Sequence, residues 1–328
     1  MSAPFLPYLQ QNPIYLSYSS RGVYDFCARK FEFYKMMQTA ERVYTTSLAA
    51  EAGTCIHRAH QEWMRTRNQD AAVFELLRSY PVRGNKDFHT PDGFRSIEAC
   101  YATLMALINS PKLMGFELAK IKCIDGVERP AIEVPFDAIL KDIHIDGRPV
   151  VYTGYIDYIF WKAMLNTYIT ADLKTTRDDS SDLDVKYKYH GQASPYGIVL
   201  QHILGQDVTS FDAMYIHTFL DLVEPNVSPI VFPKTQQDVK DWFTGLCFFL
   251  RQWMDFERAQ WYPRREGGCE NQYRDKCIYL KDSVCDLRDR ERAQGFILAG
   301  RPPEVQDHPV PWISFEIDMP DGLKRMSQ

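Results

Sequence analysis

The stretch YITADLKTT, residues 168–176, sets a carboxylate and an ammonium, Asp172 and Lys174, inside a run that otherwise reads as a buried strand. Successive strand side chains point to opposite faces, so Asp172 and Lys174 share one face and Leu173 takes the other. Burying such a pair for stability alone gains little, because desolvation can exceed the Coulombic attraction. On these residues alone, a structural salt bridge and a functional site both remain open.

A second carboxylate comes from the preceding strand. GRPVVYTGYIDYIFW and TYITADLKTT flank KAMLN, and a hairpin centred between Met164 and Leu165 sets Asp157 opposite Asp172. Directly opposed Cβ atoms lie about 5 Å apart. At an effective dielectric of about 20, two like charges there repel by roughly 3 kcal/mol. A cation between them would offset that repulsion, and a divalent metal is the natural candidate. A register shift of one residue would instead place the two carboxylates on opposite faces.

Other chemistry-bearing residues fall in a definite order: Cys27-Ala28-Arg29-Lys30-Phe31, Gly53 with His57, Gly154 with Asp157, Asp172 with Lys174, and Gln192 with Tyr196. Over residues 17–285 this order resembles the RecB-like branch of the PD-(D/E)XK nuclease superfamily. That family's pattern is an early helix with a Cys followed by basic and aromatic residues, a helical His, a G-x-x-D strand, a D-x-K strand and a Q-x-x-x-Y helix. The resemblance implies an α/β (α+β) fold: a restriction-endonuclease-like core with a mixed central sheet flanked by helices, a helical insertion and an iron-sulfur clamp. It also implies a metal-dependent DNA nuclease, an exonuclease on single strands or DNA ends, in recombination, repair or phage DNA metabolism.

Residue by residue, the resemblance makes Asp157, Asp172 and His57 ligands of Mn2+ or Mg2+. The backbone carbonyl of Leu173 and Glu133, in AIEVPF, are further ligands. An imidazole beside carboxylates favours Mn2+ over Mg2+. Lys174 would orient the attacking water and favour its hydroxide form. Gln192 and Tyr196, four apart, would share a helix face and reach substrate or steady Lys174, provided the helix begins just before Gln192 so that Pro195 stays in its first turn.

Cys269, Cys277 and Cys285 recur at equal intervals near the end of the chain. In iron-sulfur members of the RecB-like family, including nucleases of CRISPR adaptation, the AddB subunit and phage homologues, three such cysteines join one from the first helix. Cys27 completes that set for a 4Fe-4S cluster. The wide spacing departs from the commoner pattern and leaves a structural Zn2+ site or free thiols as alternatives. Cys55, Cys100, Cys123 and Cys247 sit in apolar contexts and read as core residues. A Cys55–His57 nucleophile is disfavoured, since helical residues two apart do not face each other.

The elements that must position these groups can be read coarsely. Val23, Phe26, Phe31 and Tyr34 lie near helical spacing, with Ser19 or Ser20 as N-cap. GTCIHRAHQEWMRTR predicts a second helix entered at Gly53-Thr54, and helical pattern continues from 70 to 120 with a break near Pro81 to Pro91. From Ala131 the period becomes two, predicting a three-stranded meander with a turn at IDGR. Helical pattern returns over 192–206 and 235–262, and WISFEID is the strand candidate of the tail. One domain is expected: an arm over 1–16, a nuclease domain over 17–285 (helical lobe about 42–128, core about 129–206, C-terminal helices and cysteine segment 235–285) and a tail over 286–328.

Composition sets the outer bounds. The 328 residues are 45% hydrophobic and 25% charged, with a net charge of -5, so bulk electrostatics would not steer the chain onto nucleic acid. Any DNA contact must be local. Arg29, Lys30 and Lys35 could touch phosphates, and Tyr24, Phe26, Phe31, Phe33 and Tyr34 could stack bases, although solvated and core roles are the commoner fates. No apolar run predicts a membrane span or signal peptide, so the expected location is the cytoplasm, that of a host if phage-encoded. No P-loop is present, so a helicase or recombinase would be a separate chain. Two alternatives stay open: a non-catalytic nuclease-fold subunit that binds DNA or assembles, and a phosphodiesterase acting on RNA or nucleotides.

Overall fold

In a computed structural model, residues 7–32, 48–80, 96–162, 167–176, 188, 191–205, 210–220, 224–263 and 310–327 are described. Among them the helices are α1 (Tyr18–Phe26), α2 (Ala28–Phe31), α3 (Leu48–Thr66), α4 (Gln69–Ser79), α5 (Ile97–Ile108), α6 (Tyr196–Leu204), α7 (Gln236–Ala259) and α8 (Asp321–Met326). The strands are β1 (Ile14–Leu16), β2 (Glu117–Leu118), β3 (Lys120–Lys122), β4 (Glu128–Pro130), β5 (Ile132–Ile145), β6 (Arg148–Lys162), β7 (Thr167–Thr176), β8 (Ser210–Phe219), β9 (Asn226–Thr235) and β10 (Ile313–Ile317). The chain is mixed α/β with a mixed central sheet flanked by helices. Among the described residues no helix is long and apolar enough to cross a membrane.

Two compact units divide the chain: Met1–Thr45, Asp137–Gly154 and Thr244–Gln328 form one, and Thr46–Phe136 with Tyr155–Phe243 the other. The first unit holds β10, the later part of β5 and the earlier part of β6, with β1 running parallel to β6 from Ile14↔Val150 to Leu16↔Tyr152. Asp146 and Gly147 make the β5–β6 turn with φ of 54° and 69°, the double positive φ that an Asp-Gly pair gives a tight hairpin. Edge-to-face aromatics fill this unit: Phe31 meets Tyr24, Phe249 and Trp253 at centroid separations of 5.3, 5.8 and 5.0 Å.

The second unit carries the run β5-β6-β7-β8-β9, in which β6 and β7 are antiparallel and β7 and β8 parallel. A parallel pair needs a crossover, and α6 lies within the one from β7 to β8. Helices α3, α4 and α5 cover one sheet face through Ile56, Ala59, Leu76 and Leu104 against Tyr158, Leu173 and Ile216. Gly53 permits that approach: a Cβ there would come within 2.6 Å of Thr175 Oγ1.

The meander, its turn and the tail strand follow the sequence reading, and several boundaries do not. Ser17, not Ser19 or Ser20, caps α1, because Ser20 closes a capping box back onto it. Helix α3 already runs at Leu48, so Gly53 serves packing rather than helix entry. The helical pattern expected to 120 stops at Ile108, and the chain then enters β2 and β3. Helix α6 begins only at Tyr196, which leaves Gln192 on a turn. Strands β8 and β9 escaped the reading: β8 is buried on both faces and loses its alternation, while β9 carries Pro229 and Pro233. Prolines are tolerated there because β9 is the last strand in the order.

Candidate metal centre

Strand register assembles the centre. Pairing runs from Lys162↔Thr167 to Tyr158↔Ala171, the register read from the sequence, and one further step sets Asp157 against Asp172. Both carboxylates are buried, at 9% and 3% exposure. The Leu173 N–H donates to Asp157 Oδ2 at 2.8 Å, which turns that carboxylate toward β7. The Ile159 N–H donates to the Ala131 carbonyl at 3.0 Å, so the start of β5 lies beside β6 two residues from Asp157. Helix α3 supplies the imidazole, with His57 Nε2 3.2 Å from Asp157 Oδ2.

One ligand atom each from His57, Glu133 and Asp157 lie within 4.8 Å of one another, the arrangement a single cation can satisfy. The donor set of one imidazole and two carboxylates suits Mn2+ or Mg2+ and, because of the nitrogen, favours Mn2+. His57 Nε2 is buried and faces Asp157 Oδ2, so the nitrogen and the carboxylate point into the same space. Glu133 reaches the group from a backbone φ of 51°, a left-handed conformation that costs a non-glycine residue about 1–3 kcal/mol. Gln61, four residues after His57, donates from Nε2 to Glu133 Oε2.

Asp172 lies outside that trio and contacts Lys174 and Gln192. Its Oδ2 lies 2.6 Å from Lys174 Nζ, and its Oδ1 accepts from Gln192 Nε2 at 3.2 Å. Lys174 Nζ also donates to Gln192 Oε1 at 3.0 Å, so the amide bridges both members of the pair. Gln192 Nε2 lies 3.3 Å from the Tyr196 hydroxyl, which donates to the Tyr155 carbonyl at 3.1 Å. Gln192 and Tyr196 therefore meet across a turn rather than along a helix face.

Electrostatics register the crowding of charge. Burial and the neighbouring Asp157 push the Asp172 carboxyl up, against the pull of Lys174. Burial would raise Asp157 too, but His57, the Leu173 N–H and Lys174 hold it below its ordinary value. Burial acts to lower His57, and the carboxylates of Asp157, Glu133 and Asp172 reverse that and raise it. Behind the site His60, 1% exposed, is pushed down by burial to about 3, and its Nδ1 lies 2.7 Å from the Tyr158 hydroxyl.

The structure thus brings together His57, Glu133, Asp157, Asp172, Lys174, Gln192 and Tyr196, and Leu173 enters through its N–H. Gln61 was missed, although its place four residues after His57 was the available signal. Cys27 is buried at the start of α2, whereas Cys269, Cys277 and Cys285 lie outside the described residues. Cys55, Cys100 and Cys123 are buried, as expected of core residues, and Cys247 is half-buried. Burial raises the Cys55 thiol, which disfavours the thiolate a nucleophile beside His57 would need. Arg29 is neither solvated nor open to phosphate: it is 7% exposed and pairs with Glu32 at 2.6 Å. Tyr24 and Phe31 are core, and Phe33, Tyr34 and Lys35 lie outside the described residues.

No family model and no curated protein matches the chain. Among solved structures, a presumptive exonuclease from Eubacterium rectale aligns at a TM-score of 0.46 and 14% identity, covering 88% of this chain and 100% of its own. A second protein, SSO0001, aligns at a TM-score of 0.25 and 13% identity, covering 58% of this chain and 70% of its own. Likenesses at this level carry no inference about the chain, whose chemistry is argued from its own side chains.

Proposed function

We propose that the chain is a divalent-metal-dependent deoxyribonuclease, an exonuclease acting on single-stranded DNA or DNA ends. The observation that carries this reading is the meeting of the His57, Glu133 and Asp157 ligand atoms beside a buried Asp172–Lys174 pair. His57, Glu133 and Asp157 would hold Mn2+ or Mg2+, with Asp172 and the Leu173 carbonyl as further ligands. Such a cation supplies Lewis-acid stabilisation of the charge that grows on a scissile phosphate.

The chain's own groups do the rest. Lys174, with its ammonium fixed between Asp172 and Gln192 and its side chain 31% exposed, can reach a water at the site and stabilise its hydroxide form. Gln192 restrains both partners of that pair, and Tyr196 restrains Gln192. A pair kept for stability alone would not need an amide bridging both of its members beside a further buried carboxylate, a half-buried one and an imidazole.

On this reading residues 17–285 form the nuclease domain, with 1–16 an arm and 286–328 a tail. The substrate is cytoplasmic DNA in recombination, repair or phage replication, and unwinding falls to a separate helicase. Cys27, with Cys269, Cys277 and Cys285, would hold a 4Fe-4S cluster or a structural Zn2+; visible absorbance and an iron count decide between them. The test of activity is digestion of end-labelled single- and double-stranded DNA with Mn2+ or Mg2+. Wild type is expected to release label, and Lys174→Ala to lose at least about a hundredfold. Equal rates in the two proteins, or no digestion by folded wild type, would overturn the reading.

A further inference from the structure

Gln61 lies one turn beyond His57 on α3, is 9% exposed, and donates from Nε2 to Glu133 Oε2. Residues four apart share a helix face, so the helix that presents the imidazole also grips a carboxylate delivered by a different element, β5. Glu133 arrives there from a left-handed backbone, φ 51°, and its side chain has several rotatable bonds with which to miss the site. We propose that Gln61 is a positioning residue for Glu133, tying one carboxylate oxygen so that the group is presented to His57 and Asp157 in a single orientation.

The side-chain type suits that task. An amide donates without adding charge, so Glu133 keeps its full negative charge for a cation, whereas Lys or Arg would form an ion pair and compete with it. Hydrogen-bond partners that orient ligands tune metal affinity in this way, and their loss typically costs 10–100-fold. The inference rests on the metal-site reading above and adds a residue that the ligand set does not include.

The experiment is calorimetric titration of Mn2+ into wild type, Gln61→Leu, Glu133→Gln and the double variant, each freed of metal beforehand. Gln61→Leu keeps the side chain's approximate size and is expected to weaken Mn2+ binding 10–100-fold. In the Glu133→Gln background the same change should weaken binding no further, because Gln61 acts through Glu133. Wild-type affinity in Gln61→Leu, or equal losses in both backgrounds, would overturn the proposal while leaving the metal site standing. No Mn2+ binding by wild type would overturn the metal site and this proposal together. If Gln61→Leu does not fold, Gln61→Met, of similar length and likewise no donor, gives the same readout.

Discussion

Two buried clusters of ionisable groups invite comparison, one in each unit. In the first unit Arg29 pairs with Glu32 at 2.6 Å, with side chains 8% and 1% exposed, and Glu257 accepts from the Tyr262 hydroxyl at 2.7 Å. Burial and Glu257 push the Tyr262 hydroxyl up, so it remains a neutral donor. Each carboxylate there has its own partner, the Arg29 guanidinium or the Tyr262 hydroxyl, and is sealed from water. In the second unit Asp157 and Asp172 face each other, and the groups beside them, His57 and Lys174, keep side-chain exposures of 23% and 31%. Like charges are gathered there and left partly open. A matched and closed cluster holds a fold together; a crowded and open one is poised for a cation and a substrate.

The largest expected effect breaks the second cluster. Asp157→Asn retains an oxygen that can accept from the Leu173 N–H and removes the charge. Metal-dependent cleavage should fall about a thousandfold, equivalent to about 4 kcal/mol. Stability in chelator should change by less than about 1 kcal/mol, since losing the His57 partner is offset by relief of two buried carboxylates facing each other. Rates on labelled DNA and urea denaturation of the same protein separate the two quantities. A loss of activity that merely tracks a loss of stability would make this cluster structural, like its counterpart.

The first cluster should respond the other way round. Glu32→Gln removes the charge of a negative partner from an Arg29 that stays buried, a change expected to cost about 3 kcal/mol of stability. Cleavage per folded molecule should not change. Urea midpoints with active-site titration test this, and a stability loss under about 1 kcal/mol would show that the pair is not what holds α1 and α2 in place.

Legibility differed between the clusters for a physical reason. Asp157, Asp172 and Lys174 could be read because strand alternation and hairpin register are local rules, and a two-strand register sufficed to set the carboxylates opposite. The Glu133–Gln61 contact could not be derived that way: it needs β5 seated beside β6, a positive φ within a strand and a helix face laid across both. Arg29 was misread for the same reason, since a basic residue after an early Cys looks solvated until Glu32 and the aromatic packing around Phe31 are in place. Strand β9 was hidden by prolines that only an edge position makes acceptable.

A third carboxylate, neither buried nor crowded, sharpens the contrast and carries the smallest effect. Asp238 Oδ2 accepts from both the N–H and the hydroxyl of Thr235 at 2.7 Å, and the Asp238 N–H returns to Thr235 Oγ1 at 3.3 Å, closing a reciprocal cap at the start of α7. Slight burial pushes the Asp238 carboxyl up, but the Thr235 hydrogen bonds outweigh it and hold the group below its ordinary value. A depressed folded-state value means the stabilisation is complete above the unfolded value, near 4, and is lost as pH falls through the folded one. Asp238→Ala should therefore cost about 1 kcal/mol at neutral pH. That gap should narrow steadily below about pH 4. Paired urea titrations at pH 7 and pH 3 measure it, and a gap that persists unchanged in acid would mean Asp238 acts through packing rather than through the charge on its carboxylate.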